Sequence, residues 1–215
     1  MKLKVLEKEI VPERVFCIGM NYADHVKELG NALPESPVIF MKPATCLVPA
    51  GEKVTFPTHG EDLHYEAELV VLIGREGRPN SEKEARDYMG GLSLGLDLTL
   101  RDVQTRLRKK GHPWEVAKAF DGSAPVGRFI PFHESIDLAR LTFRCLVNNE
   151  LRQEGNTADM IFPVERLIYE ISKIWSLKEG DLIYTGTPSG VGSLKEGDVI
   201  NVEGEMFGTF SWAMG

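Results

Sequence analysis

Cysteine is scarce in this chain: Cys17, Cys46 and Cys145 are the only three in 215 residues. Their number is odd, they lie far apart, and no C-x-x-C pair occurs. That argues against a disulfide framework or a structural zinc site and for a reducing, cytoplasmic setting. Basic residues are outnumbered, 25 Lys and Arg against 32 Asp and Glu, giving a net charge of −7. No nucleic-acid partner is therefore expected. The one basic cluster, Arg106-Leu107-Arg108-Lys109-Lys110, reads as a solvated helix end whose cations complement the helix dipole. No run of about 18 apolar residues occurs, so no membrane association is expected. Met1 to Glu9 lacks the apolar centre of a signal peptide. Linkers rich in Pro, Gly or Ser and low-complexity segments are also missing. With 42% hydrophobic residues, the chain has enough for one sizeable core, and a single domain over 1–215 with a short lead-in over 1–14 is expected.

What is present reads mainly as strand. Val15-Phe16-Cys17-Ile18 and Val38-Ile39-Phe40-Met41 are short apolar runs bounded by Gly19, Pro37 and Pro43. Thr142 to Val147 alternates and ends at Asn148-Asn149, a turn pair. Ser176-Leu177-Lys178-Glu179-Gly180-Asp181-Leu182-Ile183 recurs as Ser193-Leu194-Lys195-Glu196-Gly197-Asp198-Val199-Ile200, two Gly-Asp turns that each feed a strand. The clearest helix runs over about 162–175, with Leu167, Ile168, Ile171, Ile174 and Trp175 at helical spacing. A second is expected over 82–89 with Ser81 as its cap, and a third over 102–111, stopped by Gly111. The fold class that follows is α+β, predominantly β.

The most informative stretch is His64-Tyr65-Glu66-Ala67-Glu68-Leu69 running into Val70-Val71-Leu72-Ile73. As one strand it would place His64, Glu66 and Glu68 on a single face, with the two carboxylates about 7 Å apart at the backbone. Like charges that close raise one another's pKa unless a cation intervenes. A hard divalent ion is one explanation, because oxygen-only ligand sets suit Mg²⁺, Mn²⁺ or Ca²⁺. An edge strand with a solvated charged face is the other. A third acid shifts the balance. In Gly90 to Asp102, leucines at 92, 94, 96, 98 and 100 make a core face, while Ser93, Gly95, Asp97, Thr99 and Arg101 make the wall of a pocket. Asp97, Arg101 and Gln104 share a face if helical geometry begins a turn early. An iron site built on His59 and His64 beside Glu66 would leave Glu68 and Asp97 unexplained.

Other groups carry paired readings. His25 and Glu28 are three apart on a short helix that Asn21 caps and Gly30 ends; they form either a water-activating pair or a solvated surface pair. The segment over 21–30 is short, polar and glycine-bounded, so it is expected to be a mobile lid, disordered in the empty protein. Lys118, flanked by Ala117 and Ala119, is either a buried ammonium with anionic partners or a snorkelling lysine, and Lys42 carries the same alternatives. The loop Thr185-Gly186-Thr187-Pro188-Ser189-Gly190-Val191-Gly192 fits neither phosphate-binding glycine motif. Its backbone N–H groups suit a carboxylate, or a plain turn.

Taken in order, seven motifs resemble the fumarylacetoacetate hydrolase family. They are Gly19-x-Asn21-Tyr22-x-x-His25, Pro37-x-x-Phe40-x-Lys42-Pro43, His64-x-Glu66-x-Glu68-Leu69, Gly95-x-Asp97-x-Thr99-x-Arg101-Asp102-x-Gln104, Lys118-x-Phe120-Asp121, Gly155-x-Thr157-x-x-Met160, and Gly180-Asp181 through Gly192. The resemblance implies a β-rich roll of mixed sheets with a few short helices, of the short branch without a separate N-terminal domain, and a homodimer. It implies Glu66, Glu68 and Asp97 as ligands of Mg²⁺ or Mn²⁺, with Ca²⁺ able to substitute in crystals. It implies catalytic roles for His25, Glu28 and Lys118, and substrate contacts from Asn21, Lys42, Arg101, Gln104 and Thr187. The chemistry implied is metal-dependent cleavage of the C–C bond of acylpyruvates, with oxaloacetate decarboxylation as a second activity. Keto–enol tautomerisation of oxaloacetate, or decarboxylation or isomerisation of an aromatic-degradation intermediate, is the alternative.

Overall fold

The two copies of the Ser-Leu-Lys-Glu-Gly-Asp motif fold alike in the computed structural model, which describes residues 3–5 and 8–215. In each copy the aspartate accepts a hydrogen bond from a backbone N–H three residues earlier. Asp181 Oδ2 takes Lys178 N at 2.7 Å, and Asp198 Oδ2 takes Lys195 N at 2.8 Å. A short side chain that bonds nearby backbone stabilises a turn at the cost of helix, which is why each repeat delivers a strand: Leu182–Tyr184 and Val199–Gly204. The buried Asp181 is also paired with Arg14, whose Nε and Nη2 donate to its two oxygens at 2.8 and 2.5 Å.

The largest sheet has eight strands. Its path runs Val38–Pro43, Arg14–Gly19, Leu182–Tyr184, Ala67–Ile73, Met89–Leu96, Ala124–Val126 and Leu47–Pro49, and Ile130–Pro131 also pairs with Met89–Leu96. Leu182–Tyr184 lies parallel to Arg14–Gly19, while Ala67–Ile73 is antiparallel to both its neighbours. A five-stranded sheet holds Glu150–Asn156, Thr142–Val147, Val199–Gly204, Gly208–Met214 and Lys53–Val54. A three-stranded sheet joins Thr99–Leu100, Leu63–Tyr65 and Gly192–Ser193. These mixed sheets with few short helices make the α+β, mainly β, architecture that the sequence implies. The lead-in expected over 1–14 contains an antiparallel pair, Leu3–Val5 with Lys8–Ile10; residues 1–2 and 6–7 lie outside the described residues.

Several elements follow the sequence pattern closely. Asn148 and Asn149 both have positive φ, 52° and 66°, the backbone of a tight hairpin turn. The long helix spans Val164–Ile174 and buries Val164, Leu167, Ile168 and Ile171, and Trp175 then meets Phe16 with ring centroids 5.4 Å apart. Ser81 caps Glu82–Ala85 by accepting from Glu84 N, but the helix tightens into a 3-10 turn at Arg86–Tyr88 because Met89 already belongs to a strand. Gly111, at φ 64°, closes the helix Arg101–Lys110.

Two expectations need correction, and both concern the site. The stretch from His64 onward is two strands. Tyr65 pairs with Gly192 in the small sheet and Ala67 pairs with Leu96 in the large one, so the chain changes sheet at Glu66. Glu66 O accepts Asp97 N there at 2.8 Å, which fastens the bend to the end of the leucine strand. The segment over 21–30 is folded, with a helix over Ala23–Glu28 in which His25 and Val26 are buried. Tyr22 stands at its cap position, and Tyr22 bridges to Met160 while Ile161 N donates to Asn21 O at 2.8 Å. These ties supply the packing that a helix so short lacks on its own.

The leucine strand leaves no room on its other face. A Cβ on Gly95 would lie 2.7 Å from Pro125 O, 2.9 Å from Val70 Cγ2 and 3.0 Å from the Tyr184 ring. Gly95→Ala should therefore lower unfolding free energy by about 1–3 kcal/mol. Denaturant titration checks this, and an unchanged midpoint would show that the sheet yields freely.

Candidate active site

The bend at Glu66 and the end of the leucine strand bring three acids together. One carboxylate oxygen from each of Glu66, Glu68 and Asp97 lies within 4.8 Å of the others, and all three residues are buried. Among the described residues this is the one cluster of metal-type ligands. Its donors are all carboxylate oxygens, the set that suits a hard divalent cation. The proposed iron site gains no support: His59 Nε2 meets Val116 O at 2.9 Å, and His64 turns away from Glu66 to Asp62 and Ser193, at 3.1 and 3.2 Å.

Three cations lie against the acids. Lys118 Nζ donates to Glu66 Oε2 at 2.7 Å and to Asp97 Oδ2 at 2.8 Å. Lys42 Nζ is 2.7 Å from Asp97 Oδ1. Arg101 Nη2 donates to Glu66 Oε1, and its Nη1 donates to Gln104 Oε1 at 2.7 Å. Each carboxylate offers about four lone-pair sites, so these contacts leave positions for an ion. Burial pushes the Glu66 carboxyl up, but Lys118 and Arg101 outweigh it and hold its pKa well below the usual range. Among the described residues no cation bonds Glu68 directly, and it feels Lys118 only weakly. Burial raises its pKa, Asp97 and Glu66 raise it further, and the Gly186 N–H, donating to Oε2 at 2.7 Å, only partly offsets them. Burial lowers the Lys118 ammonium, but Asp97 and Glu66 more than restore it, and its pKa lies above the ordinary lysine value.

The glycine-rich loop thus cradles carboxylates of the protein itself. Gly186 sits at φ 101°, and a Cβ there would lie 2.6 Å from Asn21 Cβ, so glycine is required. A second backbone group, Gly190 N, donates to Glu28 Oε1 at 3.0 Å. The other oxygen of Glu28 meets His25 Nδ1 at 3.1 Å, and the imidazole lines a small cavity of about 50 Å³ together with Glu66, Glu68, Arg101, Gln104, Lys118 and Thr187. Arg101 Nε is buried with no hydrogen-bond partner, a donor unspent beside this cavity.

Not every expected substrate contact is free to make one. Asn21 does not cap its helix. Its amide donates to Phe162 O at 3.1 Å and Thr185 O at 2.7 Å and accepts Phe162 N at 2.8 Å, which fixes the glycine loop against the segment before the long helix. Lys42 donates to Leu98 O at 3.2 Å and Ser123 O at 2.6 Å and forms an ion pair with Asp97, whose Oδ1 has no hydrogen-bond partner, so two of its three protons are committed to backbone. Thr187 Oγ1 donates to Ala67 O at 2.9 Å and accepts from Gln153 Nε2 at 2.8 Å. Asp97 precedes the helix Arg101–Lys110, so it joins the site through the strand end and only Arg101 and Gln104 share a helical face.

The sequence reading missed several participants. Gln153 is buried, donates also to Pro188 O at 2.8 Å and accepts Ala67 N at 2.9 Å, tying the acid strand to the glycine loop. Met20 lines the cavity at φ 58°, a costly conformation for a non-glycine residue. Phe40, Trp114, Asn31 and Arg108 line it too. The basic cluster is solvated as its sequence suggests, with Arg106, Arg108, Lys109 and Lys110 exposed, and Arg108 reaches the rim of the cavity from that face.

The model of the fumarylacetoacetate (FAA) hydrolase C-terminal family matches residues 14–212. The chain belongs to this family. It is an enzyme fold with divided chemistry. The chain is 48% identical to the mitochondrial oxaloacetate tautomerase of Bos taurus over 188 residues, 87% of this chain and 85% of that one. It is 44% identical to the mitochondrial oxaloacetate decarboxylase of Dictyostelium discoideum, covering 87% of this chain and 86% of that one. Among solved structures, a fumarylpyruvate hydrolase from Pseudomonas aeruginosa, in complex with Mn²⁺ and pyruvate, superposes with a TM-score of 0.94 at 34% identity, covering 100% of this chain and 95% of that one. The family assignment accounts for the order of the seven motifs and makes this chain an enzyme.

If the acid triad holds a divalent ion, Glu68→Gln should weaken Mn²⁺ binding by at least the roughly 10–100-fold that loss of an outer-shell partner costs. Calorimetric titration of the metal-free protein reads this directly. Unchanged affinity would remove Glu68 from the site.

Proposed function

We propose that this enzyme interconverts the keto and enol forms of oxaloacetate, with Mg²⁺ or Mn²⁺ held by Glu66, Glu68 and Asp97. The observation that carries the reading is a histidine, paired with a carboxylate that backbone fixes, lining the same small cavity as Glu66 and Glu68 of the acid triad. Similarity to an oxaloacetate tautomerase over most of both chains supports this substrate and this reaction. Bound at the acids, the cation would polarise the carboxylate and 2-oxo oxygens of the substrate as a Lewis acid.

The chain's own groups then have distinct tasks. Arg101, with its unspent Nε, and Gln104 orient the 2-oxo acid end. Lys118 places a fixed positive charge at the acid cluster, where negative charge grows on the ketonic oxygen as the enol forms. His25 Nδ1 is engaged by Glu28, so Nε2 is the ring nitrogen available to the cavity. It accepts the proton that leaves the carbon next to the ketone. A proton then passes from the imidazolium to the enolate oxygen, which completes the enol and restores the neutral ring. The same two transfers run backward in the reverse direction. Glu28 fixes the tautomer and steadies the charge on the ring. The helix Ala23–Glu28, together with Met20, Phe40 and Trp114, restricts the access of bulk water.

The same pair supports a second reading. Were His25 to take its proton from a water, C–C cleavage of acylpyruvates would follow, and the likeness to a fumarylpyruvate hydrolase favours keeping this alternative. Decarboxylation needs no such water. A homodimer in a cytoplasmic setting completes the proposal; the three buried free cysteines are consistent with a reducing compartment.

Two measurements test the reading. Enol decay of oxaloacetate, followed by its absorbance with added Mg²⁺, should be accelerated by the protein and lost with a chelator. His25→Gln should slow it by about 10²–10⁴-fold. A variant that equilibrates the two forms as fast as the parent while losing fumarylpyruvate cleavage would instead assign the pair to water activation. Lys118→Met should reduce kcat/KM by orders of magnitude for every substrate; a near-parental value would make the lysine structural.

A further inference from the structure

The cavity has a second polar end. The helix Arg101–Lys110 places Arg101, Gln104 and Arg108 at i, i+3 and i+7, one face of the helix. All three line the cavity. Arg101 meets Glu66 at the acid end. Arg108 lies two turns further on, about 10 Å along the axis. Among the described residues no carboxylate pairs with Arg108; its Nη2 donates to the amide oxygen of Asn31 at 2.6 Å. That bond fixes which way the Asn31 amide points, and leaves its Nδ2 buried with no hydrogen-bond partner. A guanidinium and an amide N–H₂, both lining one cavity and both lacking an anionic acceptor, form a set of donors that matches a carboxylate.

We propose that Arg108 and Asn31 receive the second carboxylate of the substrate, so that the enzyme selects dicarboxylic over monocarboxylic 2-oxo acids. The inference rests on the reading above, in which the 2-oxo acid end of the substrate lies at Glu66, Glu68 and Asp97. The position of Asn31 gives the selection a consequence. Its N–H donates to Val26 O at 3.0 Å, so it is fastened to the C-terminal end of the helix that carries His25 and Glu28. A carboxylate held by Asn31 and Arg108 ties that helix to the helix of Arg101, and couples the distal charge of the substrate to the placement of the imidazole. Lys109 and Lys110 are exposed at the same helix end, a local positive field in a chain of net charge −7 that draws dianions toward the mouth.

The test uses 2-oxo acids without a β-carbonyl, so that binding is read without turnover. In calorimetric titrations of the Mg²⁺-loaded protein, 2-oxoglutarate should bind about tenfold or more tightly than 2-oxobutyrate, the fold expected of charge-assisted hydrogen bonds. Arg108→Gln should collapse that ratio toward one, chiefly by weakening 2-oxoglutarate. Asn31→Asp should do the same, because it supplies Arg108 with a competing carboxylate. A ratio that survives in Arg108→Gln, or affinities for both acids that fall in proportion, would overturn the assignment. Equal binding of the two acids by the parent protein would overturn it while leaving the 2-oxo acid site intact. Failure of both acids to bind at all would overturn the 2-oxo acid reading itself.

Discussion

Three buried carboxylates held within 4.8 Å of one another are the constraint around which the rest is arranged. Taking such charges out of water is costly, and their mutual repulsion adds to it. The fold offsets this with three cations and a backbone N–H, each from a different part of the chain. Lys42 comes from the strand Val38–Pro43, Lys118 from the turn Glu115–Lys118, Arg101 from the start of its helix and Gly186 from the glycine loop. The compensation is uneven. Glu66 is held ionised by two cations, whereas Glu68 is pushed toward its protonated form. A divalent ion is the charge that would let all three ionise together.

The outer supports explain residues that otherwise look misplaced. Asn21 and Gln153 are polar and buried, yet every amide contact recorded for them goes to backbone or to Thr187. Both hold the glycine loop: Asn21 through Thr185, and Gln153 through Thr187 and Pro188. That loop in turn positions Glu68 through Gly186 and Glu28 through Gly190. One loop therefore sets the geometry of a proposed ligand and of the histidine's partner. Errors in its placement would be felt on both sides of the cavity at once.

Much of this was legible in the sequence, and the failures share a cause. Leucines at 92, 94, 96, 98 and 100 predicted a buried face, and all are buried. The Asn148-Asn149 turn, the Gly111 helix stop and the amphipathic helix ending at Ile174 followed from local chemistry. His25 and Glu28 do pair, as their spacing allowed. The break at Glu66 was not legible, because the apolar run reads as one strand and only long-range pairing with Gly192 and Leu96 divides it. The order of the helix Ala23–Glu28 was missed for the same reason, since its stability comes from Met160, Ile161 and Phe162. Gln153 and Arg108 carry no local signal at all. The alternating pattern around Gln153 and the basic run around Arg108 each suit an ordinary surface.

The central claim is that this site reversibly moves a proton at the carbon beside the ketone of oxaloacetate without breaking a carbon–carbon bond. Its most direct measurement is deuterium incorporation at that carbon in heavy water, followed by magnetic resonance with Mg²⁺ and protein present. The account predicts exchange well above the protein-free rate, with oxaloacetate conserved over many exchange events. Exchange no faster than in buffer, or label that appears only in pyruvate, would contradict it.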